Sequence, residues 1–233
     1  GDIQALYPEG KIKTPHLDSL AEGGMRFTDM HTGSAVCTPT RYTLLTGRFA
    51  WRTHLQEGVM WGASQPLIAE NRLTVADVFK EAGYNTACVG KWHLGLGWGK
   101  LEGDAETVEN IDHEAAITGG PNALGFDYFY GIPASLDMQP YVYVVNDRVE
   151  ALPTATTGGM NGKAFYRAGP MQPDFDHEQT LPVLKEKAIE WLQGQEKEEV
   201  PFFLYFPLPA PHTPILPTKE FQGKSGVNEY GDF

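Results

Sequence analysis

Cysteine is scarce in this chain: Cys37 and Cys88 are the only two in 233 residues. Two thiols do not make a disulfide framework, so their number sets no redox compartment, although one bridge between them stays open. No run of 18 or more apolar residues occurs, which leaves no candidate for a membrane-spanning helix. No secretory leader is visible. Basic residues are also few, with 18 Lys and Arg against 30 Asp and Glu, a net charge of −12. That balance argues against general nucleic-acid binding, which needs a basic footprint. Repeats and low-complexity linkers are lacking too. What remains is a chain with 41% hydrophobic residues, apolar enough to be globular. Its length suits one sizeable core or one large α/β domain, and a single domain over residues 1–233 is expected.

Helix signals stand at Thr14-Pro15, with Gly23 as the stop, and at Thr74, with Gly83 as the stop. Leu181, Leu184, Ala188, Trp191 and Leu192 follow a helical stripe. Alternation from Met25 to Met30 predicts a strand. Apolar runs at 84–89 and 200–206 read as buried strands, and Gly90 to Gly103 as a glycine-rich loop. Residues 101–180 read as irregular apart from one strand, Tyr141 to Val145, turning at Asn146-Asp147 into Arg148-Val149-Glu150. Helices alternating with buried strands predict an α/β fold, a mostly parallel central sheet flanked by helices.

The most informative stretch is Cys37-Thr38-Pro39-Thr40-Arg41, inside a run that ends at Thr46-Gly47-Arg48. Thr38 is expected to cap a helix, with Pro39 in its first turn and Gly47 at its stop. Cys37 then lies at the positive end of the helix macrodipole. Arg41, four residues on, can share its face. Such a site activates a thiol and attracts an anion. The same residues also suit a buried, inert cysteine beside an arginine in a surface ion pair. A Cys-x-Pro-x-Arg match arises by chance in on the order of 1% of chains this long, so coincidence is the weaker rival.

Two further sites follow strands. Lys91 and His93, in Gly90-Lys91-Trp92-His93, are two apart, and extended backbone points such residues the same way. His212 follows the 200–206 strand within a proline-rich loop, Pro211-His212-Thr213-Pro214. Sites in open parallel sheets gather beyond the carboxyl ends of strands. A solvated lysine and hydrogen-bonded loop histidines are the plain alternative. His16, His31, His54, His113 and His177 read as structural or surface residues, with His31 near enough to Cys37 to border a pocket. Asp137 reads more readily as a turn cap than as a substrate contact. Trp61, Trp98 and Tyr128 could stack on sugar rings but read more readily as core. Arg41, Arg48 and Lys91 could form the local positive patch.

The Cys37 to Gly47 run and the Gly83 to Gly95 run resemble the two signatures of the formylglycine-dependent type I sulfatases, in the same order. His212-Thr213-Pro214 resembles a third family segment. The resemblance spans essentially the whole chain, as the amino-terminal catalytic part of an arylsulfatase-type enzyme in the alkaline phosphatase superfamily. It implies that Cys37, oxidised to formylglycine by a maturation enzyme, is the nucleophile. It also implies that Arg41 and Lys91 hold the hydrate and the sulfate oxygens, that His93 takes a proton, and that Lys91 and His212 bind substrate. His212 would also protonate the departing alcohol. A divalent metal, calcium, is implied, held by the Cys37-derived oxygen and by ligands outside this chain; Asp2 and Asp232 are poor substitutes. The resemblance further implies a sulfated small molecule or glycan as substrate and an exported, periplasmic, extracellular or lysosomal setting. It marks the chain as truncated at both ends, poorly active and unstable by itself. A phosphonate or phosphate diester hydrolase and a non-catalytic sulfated-glycan binder are the competing expectations.

Overall fold

The computed structural model describes residues 3–197 and 199–233. Its helices are α1 (Pro15–Gly23), α2 (Cys37–Thr46), α3 (Val75–Glu81), α4 (Thr180–Gln195) and α5 (Glu229–Asp232). Its strands are β1 (Asn85–Lys91), β2 (Gly99–Lys100), β3 (Ile111–Asp112), β4 (Tyr128–Ile132), β5 (Val144–Val145), β6 (Arg148–Val149), β7 (Ala155–Thr157), β8 (Gly169–Met171) and β9 (Phe202–Tyr205).

The central sheet runs in the order β6-β5-β4-β1-β9. β1 is parallel to both β4 and β9, while β5 and β6 add an antiparallel hairpin. The sheet is thus mixed, with the expected parallel part at its centre. β1 is buried on both faces because successive side chains enter different cores. Cys88 joins Tyr42 and Leu45 of α2, Ala76 of α3 and Phe129 on one face. Val89 joins Tyr130 with Leu184 and Ala188 of α4 on the other. Period-two alternation therefore feeds two helical layers rather than one layer and solvent.

α3 starts as the sequence predicts: Thr74 and Asp77 form a capping box. α2 ends as expected on Gly47, at φ +66, whose N–H reaches Thr43 O. Five expectations change. Thr38 is not the cap of α2; Val36 holds that place, and Thr38 lies fully buried inside the first turn. Met25 to Met30 forms no strand, and Met25, Phe27 and Met30 are exposed, so their alternation marks no buried face. In the 141–145 run only Val144–Val145 pairs as strand, because Tyr141 instead bridges Met171. The stretch read as irregular holds β4, a central strand; and Gly90 and Lys91, read as loop, complete β1.

Glycine misled the reading of both strands. Gly90 and Gly131 face each other in register, and a Cβ on Gly131 would sit 1.8 Å from Gly90 O. Gly90 itself takes φ +139, with Pro207 O 2.4 Å from where its Cβ would be. These glycines permit close backbone approach at the strand ends beneath the site.

Candidate active site

Three parallel strands end side by side, and each is followed by functional side chains. β1 runs out at Lys91, and its extension keeps both neighbours: Lys91 N–H reaches Pro207 O, Trp92 N–H reaches Ile132 O and His93 N–H reaches Pro133 O. β4 leads to Ser135 and Asp137, and β9 leads to His212. α2 presents Cys37 as its first residue, partly buried, with no side chain from Val36 capping the helix N–H groups. Both cysteines are free. Burial pushes the Cys88 thiol far up in pKa, so it stays a protonated core residue.

The Cys37 helix is tied to the Lys91-His93 segment twice. Arg41 Nη1 donates to Lys91 O. Thr38 Oγ1 donates to His93 O at 2.9 Å and accepts the Met60 N–H at 3.2 Å. Lys91 is 1% exposed, and its Nζ donates to Ser135 Oγ at 3.0 Å. Burial pulls its pKa down to about 8, with Cys37 acting in the other direction. The positive charge is thus kept at neutral pH in a place where water screens it little.

His93 is fully buried and sits at φ +59, a left-handed conformation that costs a non-glycine residue energy. The extended alternation that brings Lys91 and His93 to one side therefore stops at His93. Its Nε2 lies 2.8 Å from Met60 O, and a carbonyl only accepts, so Nε2 carries the hydrogen. Nδ1 is left as a buried lone pair with no partner among the described residues. Burial first, and Lys91 next, hold the imidazole well below its ordinary pKa and therefore neutral.

His212 stands at the rim. Its Nδ1 lies 2.6 Å from Thr213 O, 3.3 Å from Ser135 Oγ and 3.9 Å from Asp137 Oδ1. Ser135 thereby joins Lys91 to His212. Asp137 is no turn cap: its buried carboxylate pairs through Oδ2 with Arg167, while Oδ1 has no hydrogen-bond partner among the described residues.

The structure thus gathers Cys37, Arg41, Lys91, His93 and His212 at one end of the sheet. Arg48 does not join them, since it lies exposed past the far end of α2. His31 is exposed and paired with Asp29. Ser135, Arg167 and the double tie of Thr38 were not anticipated. Recognising β4 would have pointed to Ser135 and Asp137 as residues beyond a strand end. Trp98 is core and Tyr128 half-buried, whereas Trp61 is 52% exposed. A cavity of about 850 Å³ between α4 and the segment carrying Phe206, Leu208 and Phe221 shares none of these site residues.

Among the described residues, no three His, Cys, Asp or Glu side chains gather as a cation cage. Cys37 lies within electrostatic reach of the Lys91 ammonium, whereas a hard divalent ion wants several oxygens. This chain's described residues therefore do not by themselves fit calcium. Asp2 lies outside the described residues, and the Asp232 carboxylate is engaged by the N–H groups of Gly223 and Ser225.

A family model described as Sulfatase matches residues 4–232. An N-acetylgalactosamine-6-O-sulfatase of Bacteroides thetaiotaomicron is 33% identical over 265 residues, covering 100% of this chain and 50% of that protein. Human arylsulfatase A is 31% identical, covering 100% of this chain and 43% of its own length. The chain spans about half the length of the curated relatives it matches. A solved Bacteroides thetaiotaomicron structure, from work on a core locus for glycosaminoglycan metabolism, superposes with a TM-score of 0.82 at 32% identity. It is covered over 53% of its length and this chain over 100%. A Pseudoalteromonas sulfatase at 21% identity shares the fold, with a TM-score of 0.63, covering 95% of this chain and 43% of that one.

Proposed function

The chain belongs to the sulfatase family, and from that premise we propose that it supplies the nucleophile and anion site of a sulfuric ester hydrolase acting on a sulfated carbohydrate. The observation that carries this reading is the convergence of Cys37, at a helix N-terminus, with Arg41 and the buried, charged Lys91. Residue 37, oxidised to the formylglycine aldehyde and hydrated, supplies one oxygen to attack sulfur and a second hydroxyl whose deprotonation expels sulfate.

The other roles follow from the side chains. Arg41 and Lys91 neutralise the sulfate oxygens, in surroundings where a fixed cation counts for more than it does in water. His93 holds its hydrogen on Nε2 against Met60 O and receives a proton at Nδ1. His212 keeps Nδ1 on Thr213 O and Ser135, leaving Nε2 to donate to the departing alcohol. The names of the relatives support a 6-O-sulfated N-acetylgalactosamine glycan as the first substrate to try, with aryl sulfates second. Family habit supports export from the cytoplasm; no helix among the described residues is long and apolar enough to cross a membrane.

The test uses the protein as its host makes it. Mass spectrometry of the tryptic peptide from Phe27 to Arg41 should find an aldehyde in place of the Cys37 thiol. Sulfate release should occur from sulfated sugars and exceed turnover of an aryl phosphodiester. Faster phosphodiester turnover would identify a diester hydrolase, and glycan binding without turnover a lectin-like role; either overturns the proposal.

A further inference from the structure

Arg167 is held unusually firmly for an arginine at a rim. Its Nη1 donates to both the main-chain oxygen and the Oδ2 of Asp137. Its guanidinium lies 4.9 Å from the Trp61 ring centroid and 5.1 Å from that of Phe165. The Tyr141 hydroxyl donates to Arg167 O at 2.7 Å, fixing the backbone beneath it. The side chain nonetheless stays 33% exposed, and among the described residues every hydrogen bond from the guanidinium leaves from Nη1. One edge of a rigid donor fork therefore faces outward.

The platform beside it is equally fixed. Met60 is bound on either side, its N–H by Thr38 and its carbonyl by His93. Gly62 O accepts from Trp98 Nε1, and Gly62 packs so close to Gln139 that a Cβ would lie 1.9 Å from Gln139 O. Trp61 is held between these anchors, with about half of its surface exposed to solvent. All this borders the reaction zone, because Asp137 Oδ1 is 3.9 Å from His212 Nδ1.

Resting on the sulfatase reading above, we propose that Arg167, clamped by Asp137 and stacked on Trp61, is a specificity-determining residue that binds a free hydroxyl of a pyranose beside its sulfated position. Charge decides the ligand class. Asp137 already neutralises Arg167, so the pair favours a neutral hydroxyl over a second anion. The exposed Trp61 face suits the apolar face of a sugar ring. A simple aryl sulfate offers the pair no hydroxyl to hold.

Two measurements test this. For the wild-type protein as its host makes it, single-deoxy analogues of a 6-O-sulfated N-acetylgalactosaminide are compared with the parent sugar. One analogue should lose about tenfold or more in kcat/KM, as expected when a polar site loses its hydroxyl partner. Arg167→Lys keeps the charge but not the planar fork. It should lower the ratio of sugar-sulfate to aryl-sulfate kcat/KM by about tenfold, and its discrimination against that analogue should vanish. Equal turnover of all deoxy analogues by the wild type, or an unchanged ratio in the variant, overturns the assignment. Failure of the wild type to release sulfate from any substrate sinks the sulfatase reading instead.

Discussion

Lys91 concentrates the conflict between stability and function in one residue. A lysine at 1% exposure with its pKa pulled down to about 8 costs folding energy while it remains charged. The unfolded chain holds the proton more tightly. The penalty is therefore complete below about pH 8 and fades as pH rises from there toward the ordinary lysine value. Lys91→Met should raise stability by about 1–3 kcal/mol near neutral pH while abolishing sulfate release, as thermal unfolding and an assay would read. In the matured protein, where the Cys37 thiol no longer helps hold the Lys91 pKa up, kcat/KM should fall as pH rises through a range at or below about 8, where free Lys91 loses its charge. The corresponding limb in kcat should lie higher, since bound sulfate favours the ammonium form. An alkaline limb at the same pH in both would deny Lys91 this role. Thr38 makes a second residue-scale test, with one hydroxyl serving His93 O and Met60 N–H. Thr38→Val should cost about 1–3 kcal/mol in urea unfolding for the stranded polar groups and reduce turnover through the tilt of His93, while Thr38→Ser should stay close to wild type.

Among the elements, β1 and β4 decide the site, and they were unequally legible in the sequence. β1 is visible as an apolar run, and position after such a run singles out Lys91 and His93 only as candidates, while His212 stands out only through the family resemblance. The spacing of Cys37 and Arg41 around Pro39 leaves an inert cysteine equally open, and the signature resemblance is what points to them. β4 went unseen because Gly131 and its flanking turns read as loop, so Ser135 had no strand to stand behind and Asp137 passed for a turn residue. The capping function of Thr38 was misplaced for a similar reason: its hydroxyl is committed to a chain segment 55 residues away, and no local pattern encodes that. The glycine pair that hid these strands is itself testable. Gly131→Ala places a Cβ 1.8 Å from Gly90 O, so β1 and β4 must separate. A loss of more than about 3 kcal/mol is expected, together with lost turnover because Lys91 and Ser135 ride on those two strands. A stability within about 0.5 kcal/mol of wild type would show that the strands can yield.

At the scale of the whole molecule, a strongly acidic body carries a small cationic site. The net charge of −12 over 233 residues repels anions at a distance, whereas Arg41 and Lys91 attract them at contact. Salt screens the first effect more than the second, since exposed charges beyond about 10 Å are the ones that 0.1 M salt masks. Raising ionic strength from about 0.01 to 0.15 M should therefore increase kcat/KM for a polysulfated substrate severalfold, with little change in kcat. A steady fall over that range would mean that attraction, not repulsion, governs approach.

Residues 86–98 are buried at every position, from the middle of β1 past His93 to Trp98. Backbone amides there can exchange with deuterium only when the sheet itself opens, so they should be among the slowest in the chain. The three segments bearing Trp61, Arg167 and His212 lie nearer the surface at those residues and should label sooner. His93 and Lys91 would then keep one clock, and His212, Arg167 and Trp61 another. Under the proposed roles, gentle warming should blunt the choice of substrate well before it disturbs attack on sulfur.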